Sequence, residues 1–230
     1  MGAAPVATRY TEAFVRRHLP PGPRALLEVG CGNGELAACL AAGNLDVLAL
    51  DSDATSISAA REAGVEARQA TWPIDVGAKF DAVLFTRSLH HIAPLDSAID
   101  AAVAALKPNG VIVVEDFRIE LDSRRTTAWF TGLMRLLAES GAFKRPGTLG
   151  ALLEKLDFGE HRHELHSSTA VAASLARHGT VIREDAAYCF RYAETELDEP
   201  LTAMLLSYEL ALIEAGAIEP LGARFAVRLA

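Results

Sequence analysis

The stretch LLEVGCGNGELA, Leu26 to Ala37, constrains this chain more than any other segment. An apolar run closes on Glu28 and Val29, glycines follow in alternation at Gly30, Gly32 and Gly34, and a helix-forming segment begins at Glu35. Glycines this dense cost backbone entropy. A chain sustains that cost where it needs positive φ, or where a ligand must approach the main chain with no Cβ in the way. The exposed amides of the helix start that follows favour a carboxylate or phosphate.

The pattern around the loop is an alternation of strands and helices. Thr8 to Leu19 reads as an amphipathic helix stopped by Pro20-Pro21-Gly22-Pro23, an arm before the core. Short apolar runs at Ala25–Val29, Asp46–Leu50, Val65–Arg68, Asp81–Phe85 and Val111–Glu115 predict strands. Helical segments at Glu35–Ala42, Ala54–Ala63 and Asp96–Leu106 lie between them. Strands separated by helices of this length imply right-handed crossovers and a parallel sheet covered on both faces, with ligands at the carboxyl ends of the strands.

Beyond Phe117, helices are expected at Ser123–Ser140, Leu149–Leu156 and Thr169–Arg177. Alternation of Tyr188, Phe190 and Tyr192 within Ala187–Ala193 predicts a sixth strand, Ala223–Leu229 a seventh, and Glu199–Glu214 a helix between them. Trp129, Phe130, Leu133, Met134 and Phe143 suit either an internal core of this helical cover or a partly apolar pocket, and helical spacing favours the core.

The second strand ends at Asp51, seventeen residues beyond Gly34. A carboxylate there can accept both hydrogen bonds of a ribose diol, so the loop and Asp51 together describe a nucleoside site. A dinucleotide loop, G-x-G-x-x-G, would need glycine where Glu35 stands, and a phosphate-binding Walker loop would need Lys and Ser or Thr after Gly34, where Glu35 and Leu36 stand.

Four stretches in order, the E-x-G-x-G-x-G loop, Asp51, FDAVLFTRSLHHI (Phe80–Ile92) and LKPNGVIVVEDF (Leu106–Phe117), resemble the class I S-adenosylmethionine-dependent methyltransferases of the small-molecule type, over about two-fifths of the chain. The resemblance implies a doubly wound α/β fold: a seven-stranded, mostly parallel sheet with an antiparallel last strand, an N-terminal helical arm and a helical cover after strand five. One domain is expected over residues 1–230, with the cofactor-binding core at about 24–118, the cover at 119–186 and the last two strands with their inserted helix at 187–230.

The resemblance also implies that Gly30, Cys31, Gly32 and Gly34 hold the methionine portion of S-adenosylmethionine through their backbone, with Glu28 orienting the loop. Asp51 would bind the ribose, Ser52 would lie against the adenine, and Thr86 would pass near the sulfonium. Thr71 stands where many relatives carry an Asp for the adenine amino group. Within the matching Ala70-Thr71-Trp72 stretch, a hydroxyl and the Trp72 amide remain, which predicts weaker cofactor recognition and not a different cofactor.

Displacement at a sulfonium methyl needs alignment in a dry cleft more than a base. Where the acceptor must lose a proton, His91 is the expected base or else a cap for the following helix, and His90 the structural member of the pair. Arg87, which suits an acidic acceptor or a surface ion pair, Asp116 and Tyr10 on the arm join His90 as candidates for the acceptor side. Glu115 and Arg118 lie in the same region. His161, His163 and His166 lack the spacing and the cysteines of a metal site, so no metal is expected.

Lys and Arg total 22 against 30 Asp and Glu, with no basic run, which speaks against nucleic acid as partner. Cys31, Cys39 and Cys189, an odd count after a start without a signal-peptide pattern, fit a reducing cytoplasm. Val6 stands where a myristoylation signal wants Ser or Thr, and no apolar run is long enough to span a bilayer, so no membrane association is expected. A small-molecule acceptor and a monomer or homodimer are the expected partners. The alternatives are a non-catalytic cofactor-binding protein of the same fold, or a methyltransferase acting on RNA or protein.

Overall fold

The computed structural model describes residues 4–120, 124–154 and 165–229. Seven strands form one sheet in the order β3-β2-β1-β4-β5-β7-β6: β1 (Ala25–Val29), β2 (Asp46–Asp51), β3 (Glu66–Gln69), β4 (Phe80–Thr86), β5 (Leu106–Phe117), β6 (Val181–Ala186) and β7 (Gly222–Arg228). The first five pair in parallel, and β7 runs antiparallel between β5 and β6. This is the doubly wound α/β architecture that the alternation predicts. Strand order reverses between β1 and β4, and the crevice at their carboxyl ends is where such a sheet offers room for a ligand.

Both faces of the sheet are buried, so the central strands are apolar without interruption. Leu27, Val83, Phe85, Ile112 and Val114 point to one face, against Ile99 and Ala102 of α4 (Leu95–Ala105) and Val171 and Leu175 of α7 (Ser168–Leu175). Leu26, Leu84 and Val113 point to the other. They meet Phe14 and Val15 of α1 (Val6–His18), Leu36 and Leu40 of α2 (Glu35–Ala42), and Ile57 and Ala60 of α3 (Ala54–Glu62).

The helical cover has a core of its own. Phe130 and Met134 of α5 (Arg124–Glu139), Phe143, and Leu152 of α6 (Leu149–Glu154) pack with Phe190 of α8 (Phe190–Ala193) and Leu205 of α9 (Glu199–Glu214). Trp129 and Leu133 pack at its margin, so the aromatic run of α5 is a core stripe. The expected helix starts at 123 and continues past 154 fall outside the described residues.

Strand six is not where alternation predicts it. Val181–Ala186, a polar edge strand, is β6; Tyr188 lies in the turn into α8, and Phe190 and Tyr192 lie within that helix. The reason lies on α9. Glu209, fully buried, accepts the backbone N–H groups of Tyr188, Cys189 and Phe190 at 2.7, 2.9 and 2.9 Å. One carboxylate thereby takes three donors at the head of the turn into α8 and favours the helical course there.

A second buried carboxylate fastens the arm. Glu115 of β5 is 1% exposed; its Oε1 accepts from Thr11 of α1 at 2.7 Å and from Arg191 of α8 at 2.6 Å, and its Oε2 from Arg224 Nε of β7 at 2.6 Å. Burial alone would push this carboxyl up, but Arg191 and Arg224, with the Thr11 hydroxyl, hold it down at about 2. Its contribution to stability is therefore complete above the ordinary value of 4.5 and lost as pH falls toward 2. Glu115→Gln leaves two buried guanidiniums without a counter-charge, and an unfolding free energy lower by about 3–5 kcal/mol at pH 7 is expected in urea titrations. The deficit relative to the unsubstituted protein should shrink between pH 4.5 and pH 2; a deficit that stays constant with pH would contradict the assignment.

Candidate functional site

A cavity of about 540 Å³ opens at the carboxyl ends of β1 and β4, within the range of roughly 300–1,000 Å³ usual for small-molecule sites. Its wall is built from the loop after β1, the end of β2, residues 70–72 after β3, the tip of β4 with the turn that follows, and one side of α1.

The loop glycines have three separate reasons. Gly30, at φ 74°, lies so close to Ser88 that a Cβ would stand 2.3 Å from the serine Cβ. Gly34, at φ 79°, begins α2, and its Cβ would meet Ala60 Cβ at 2.7 Å; it is no part of the cavity wall and serves the packing of α2 on α3. Gly32, at φ 53°, has nothing within 4 Å of its Cβ position, so its Cα is open to whatever fills the cavity. The loop is tied to β2 by the Gly30 and Cys31 amides, which donate to the Leu50 carbonyl at 2.8 and 2.9 Å. Cys31 lines the cavity with its thiol pushed up to about 12 by burial and by the Glu28 and Asp51 carboxylates, so it is no nucleophile at neutral pH.

Asp51 is half-buried at the cavity edge. Its Oδ2 accepts from Gly32 N and its Oδ1 from Asp53 N, each at 2.9 Å, which orients the carboxylate and leaves further lone pairs. Ser52, Ala70, Thr71 and Trp72 line the same end. The Trp72 indole donates to the Ala98 carbonyl at 3.0 Å and is held in the core, whereas Thr71 is exposed.

Glu28 sits 1% exposed at the inner wall. Its Oε1 accepts from the Thr86 hydroxyl at 3.0 Å; its Oε2 is buried with no hydrogen-bond partner among the described residues, the Ala37 amide lying nearby. Burial pushes the Glu28 carboxyl up to about 7, against the Thr86 hydroxyl and the Arg87 guanidinium, which pull it down.

At the other end the structure divides the candidate residues. Thr86, Arg87 and His91 line the cavity; Tyr10, His90 and Asp116 do not. Tyr10 packs its ring 3.7 Å from the Arg224 guanidinium, and its hydroxyl accepts from Ala187 N at 3.3 Å, so it latches the arm and does not face the cavity. His90 is buried, its Nδ1 2.7 Å from Asp116 Oδ1 in a close contact not aligned as a hydrogen bond, while its backbone N–H donates to Asp116 Oδ2 at 3.2 Å. His91 packs against His90 with ring centroids 4.0 Å apart and the rings tilted by 48°, and is exposed toward the cavity. Burial of part of its ring and the neighbouring His90 lower its pKa, which keeps it neutral and able to accept a proton at pH 7.

His166 pins the turn from outside, donating its backbone N–H to the His90 carbonyl at 3.2 Å and placing Nε2 2.9 Å from the Ile92 carbonyl. His161 and His163 lie outside the described residues.

Residues the sequence pattern did not single out complete the wall. Thr8 and Thr11, one turn apart on α1, face the cavity, Thr8 donating to Glu35 Oε2 at 3.1 Å; Asn33 and Ser88 join them. A threonine every third residue on the buried side of the arm was the available signal. The helical cover, expected to shape the acceptor pocket, contributes no wall residue among the described ones.

The family described as a methyltransferase domain matches residues 6–160, more than half of the chain. A ubiquinone biosynthesis O-methyltransferase of Chelativorans sp. (strain BNC1) is 33% identical over 126 residues, covering 48% of this chain and 50% of that protein. An uncharacterized methyltransferase of Mycobacterium tuberculosis is 32% identical over 117 residues, 48% of this chain and 59% of its own length. The chain thus spans about half the length of the curated relatives it matches. A SAM-dependent methyltransferase structure from Thermotoga maritima superposes over 98% of this chain and 92% of its own with a TM-score of 0.58 at 15% identity, which speaks to the fold.

The raised Glu28 carboxyl has a sign opposite to that of Glu115. Burying it costs nothing electrostatic while it is protonated, below 4.5, and progressively more as pH rises through about 7. The unfolding free energy of Glu28→Gln relative to the unsubstituted, ligand-free protein should therefore grow by roughly 2–3 kcal/mol between pH 4.5 and pH 8. Parallel pH profiles of the two proteins would show that the Glu28 carboxyl is not raised by folding.

Proposed function

The chain belongs to the methyltransferase family, and from that premise we propose that it transfers the methyl group of S-adenosylmethionine to a small acceptor. The observation that carries this reading is the cavity at the β1/β4 crevice, where an open glycine Cα, an orphaned buried carboxylate oxygen and an oriented rim carboxylate face one space. These residues fit the cofactor. Gly30, Cys31 and Gly32 would hold the methionine portion, with Gly34 setting the helix behind them. The unpartnered Glu28 oxygen suits an ammonium, and Asp51 the ribose hydroxyls. Ser52, Ala70, Thr71 and Trp72 would border the adenine, and Thr86 the sulfur.

When bound, S-adenosylmethionine supplies a methyl carbon that an acceptor lone pair takes in line as the carbon–sulfur bond breaks toward sulfur. His91, neutral and facing the cavity, takes the proton that such an acceptor loses. His90 and Asp116 act behind it, His90 as the ring against which His91 packs. A small acceptor accords with the dimensions of the cavity, and the excess of acidic residues disfavours RNA.

Calorimetric titration with S-adenosylmethionine and S-adenosylhomocysteine tests the reading. Micromolar binding to the protein, weakened about tenfold or more in Asp51→Ala, is the expected result, since a charge-assisted pair of hydrogen bonds is lost. No binding of either compound would return the chain to an α/β domain without an assigned ligand.

His91 has a separate readout. With an acceptor found by following S-adenosylhomocysteine release over phenols, carboxylates and amines, His91→Ala should lower kcat by about 10²-fold or more while the affinity for S-adenosylhomocysteine stays within about threefold. Unchanged kcat would remove the base role and leave alignment as the source of rate.

A further inference from the structure

Arg87 occupies an unusual backbone position for its type. It follows Thr86 at the tip of β4 with φ 60°, a left-handed conformation that is strained for a non-glycine residue. Its N–H donates to the Glu115 carbonyl at 2.7 Å, so the strand pairing itself holds the residue there. The kink directs a side chain that is 42% exposed to the wall of the cavity, on the side of Thr11, Ser88 and His91.

The charge around it is unbalanced. Three guanidiniums, of Arg87, Arg191 and Arg224, gather at one carboxylate, Glu115. Arg191 and Arg224 hold it at 2.6 and 2.5 Å, and Thr11 adds a hydrogen bond at 2.7 Å, so both oxygens are taken; Arg87 stands off at 3.8 Å. Donors already exceed acceptors here, since Arg191 Nε is buried without a partner among the described residues. The other nearby carboxylates offer little relief. Asp116 is engaged with His90, and Glu28 accepts from Thr86 deeper in the wall, its carboxyl held half-neutral at pH 7 by burial.

A guanidinium fixed at a cavity wall, with its nearest counter-charge saturated by others, is a receptor for an anionic group, and its planar fork matches a carboxylate or phosphate by two parallel hydrogen bonds. We propose that Arg87 selects the acceptor and that the acceptor carries an anionic oxygen group, a carboxylate or phosphate, a statement that rests on the methyltransferase reading above. A cationic amine meets repulsion from the same residue, and the sulfonium charge of a bound methyl donor adds to both effects.

Sodium benzoate and benzamide, a matched anionic and neutral pair, are the probes, titrated by NMR into the full chain with and without saturating S-adenosylhomocysteine. Benzoate should bind at least about fivefold more tightly than benzamide, and Arg87→Gln should abolish the difference, with Arg87→Lys restoring it only in part. Equal affinity for the two probes, or a benzoate preference that survives in Arg87→Gln, overturns the proposal. Inorganic phosphate is the second arm: its competition with benzoate supports a phosphate-bearing acceptor, and its failure to compete supports a carboxylate-bearing one. Binding of S-adenosylhomocysteine is read separately in the same samples, so a failure of the methyltransferase reading is distinguished from a failure of anion selection.

Discussion

One buried carboxylate sets the geometry on which the rest of this structure depends. Glu115 lies on a central strand, and the groups that satisfy it come from the arm, the cover and the last strand: Thr11, Arg191 and Arg224. Taking such charges out of water is costly, and the cost is met only where geometry and hydrogen bonding are complete. The gain is positional. Stacking of the Tyr10 ring on Arg224 and donation by Arg224 to the Tyr10 carbonyl at 3.1 Å add the arm to the same knot. Through it, α1 is placed so that Thr8 and Thr11 become wall residues of the cavity.

The glycine loop supplies the opposite wall by a different device. Close approach of Ser88 at Gly30, tight helix packing at Gly34 and an open face at Gly32 divide the labour of three similar residues. Only Gly32 is a matter of ligand access; the others allow β1, β4 and the flanking helices to close up behind it. Asp51 then ties the loop after β1 to the neighbouring strand, because the carboxylate that marks the end of β2 also holds the Gly32 amide at 2.9 Å.

This division explains what could be read in the sequence. Loop, Asp51, Thr86 and His91 announce themselves through short-range chemistry, a glycine alternation or a polar residue at a strand end, and the structure brings them to one cavity. Strand six was misplaced because alternation of Tyr188, Phe190 and Tyr192 is a local signal, and the deciding term, Glu209 accepting three amides, comes from a helix twenty residues onward. Tyr10 and His90, expected on the acceptor side, stand outside the cavity wall for the same reason. Each lies near the cavity in sequence terms, but long-range partners, Arg224 and Asp116, draw it into the packing. A 3.6-residue period likewise cannot tell a cover that packs on itself from one that lines a pocket, and here α5 and α6 pack on themselves.

The two buried carboxylates at and behind the cavity wall differ in electrostatic character, and the difference follows from how each is served. Glu115 has more cationic donors than it can use, remains ionised, and leaves Arg87 with charge to spare. Glu28 has one hydroxyl and an orphaned oxygen, and its burial holds it near neutrality in the absence of a cation. A cation arriving beside Glu28 would favour its ionised form, and an anion arriving beside Arg87 would complete a guanidinium that the protein leaves half-served. On the proposed reading, the wall offers a place for a positive group at the Glu28 oxygen and for a negative one at Arg87, two positions joined through Thr86, whose hydroxyl reaches Glu28 from the residue before Arg87.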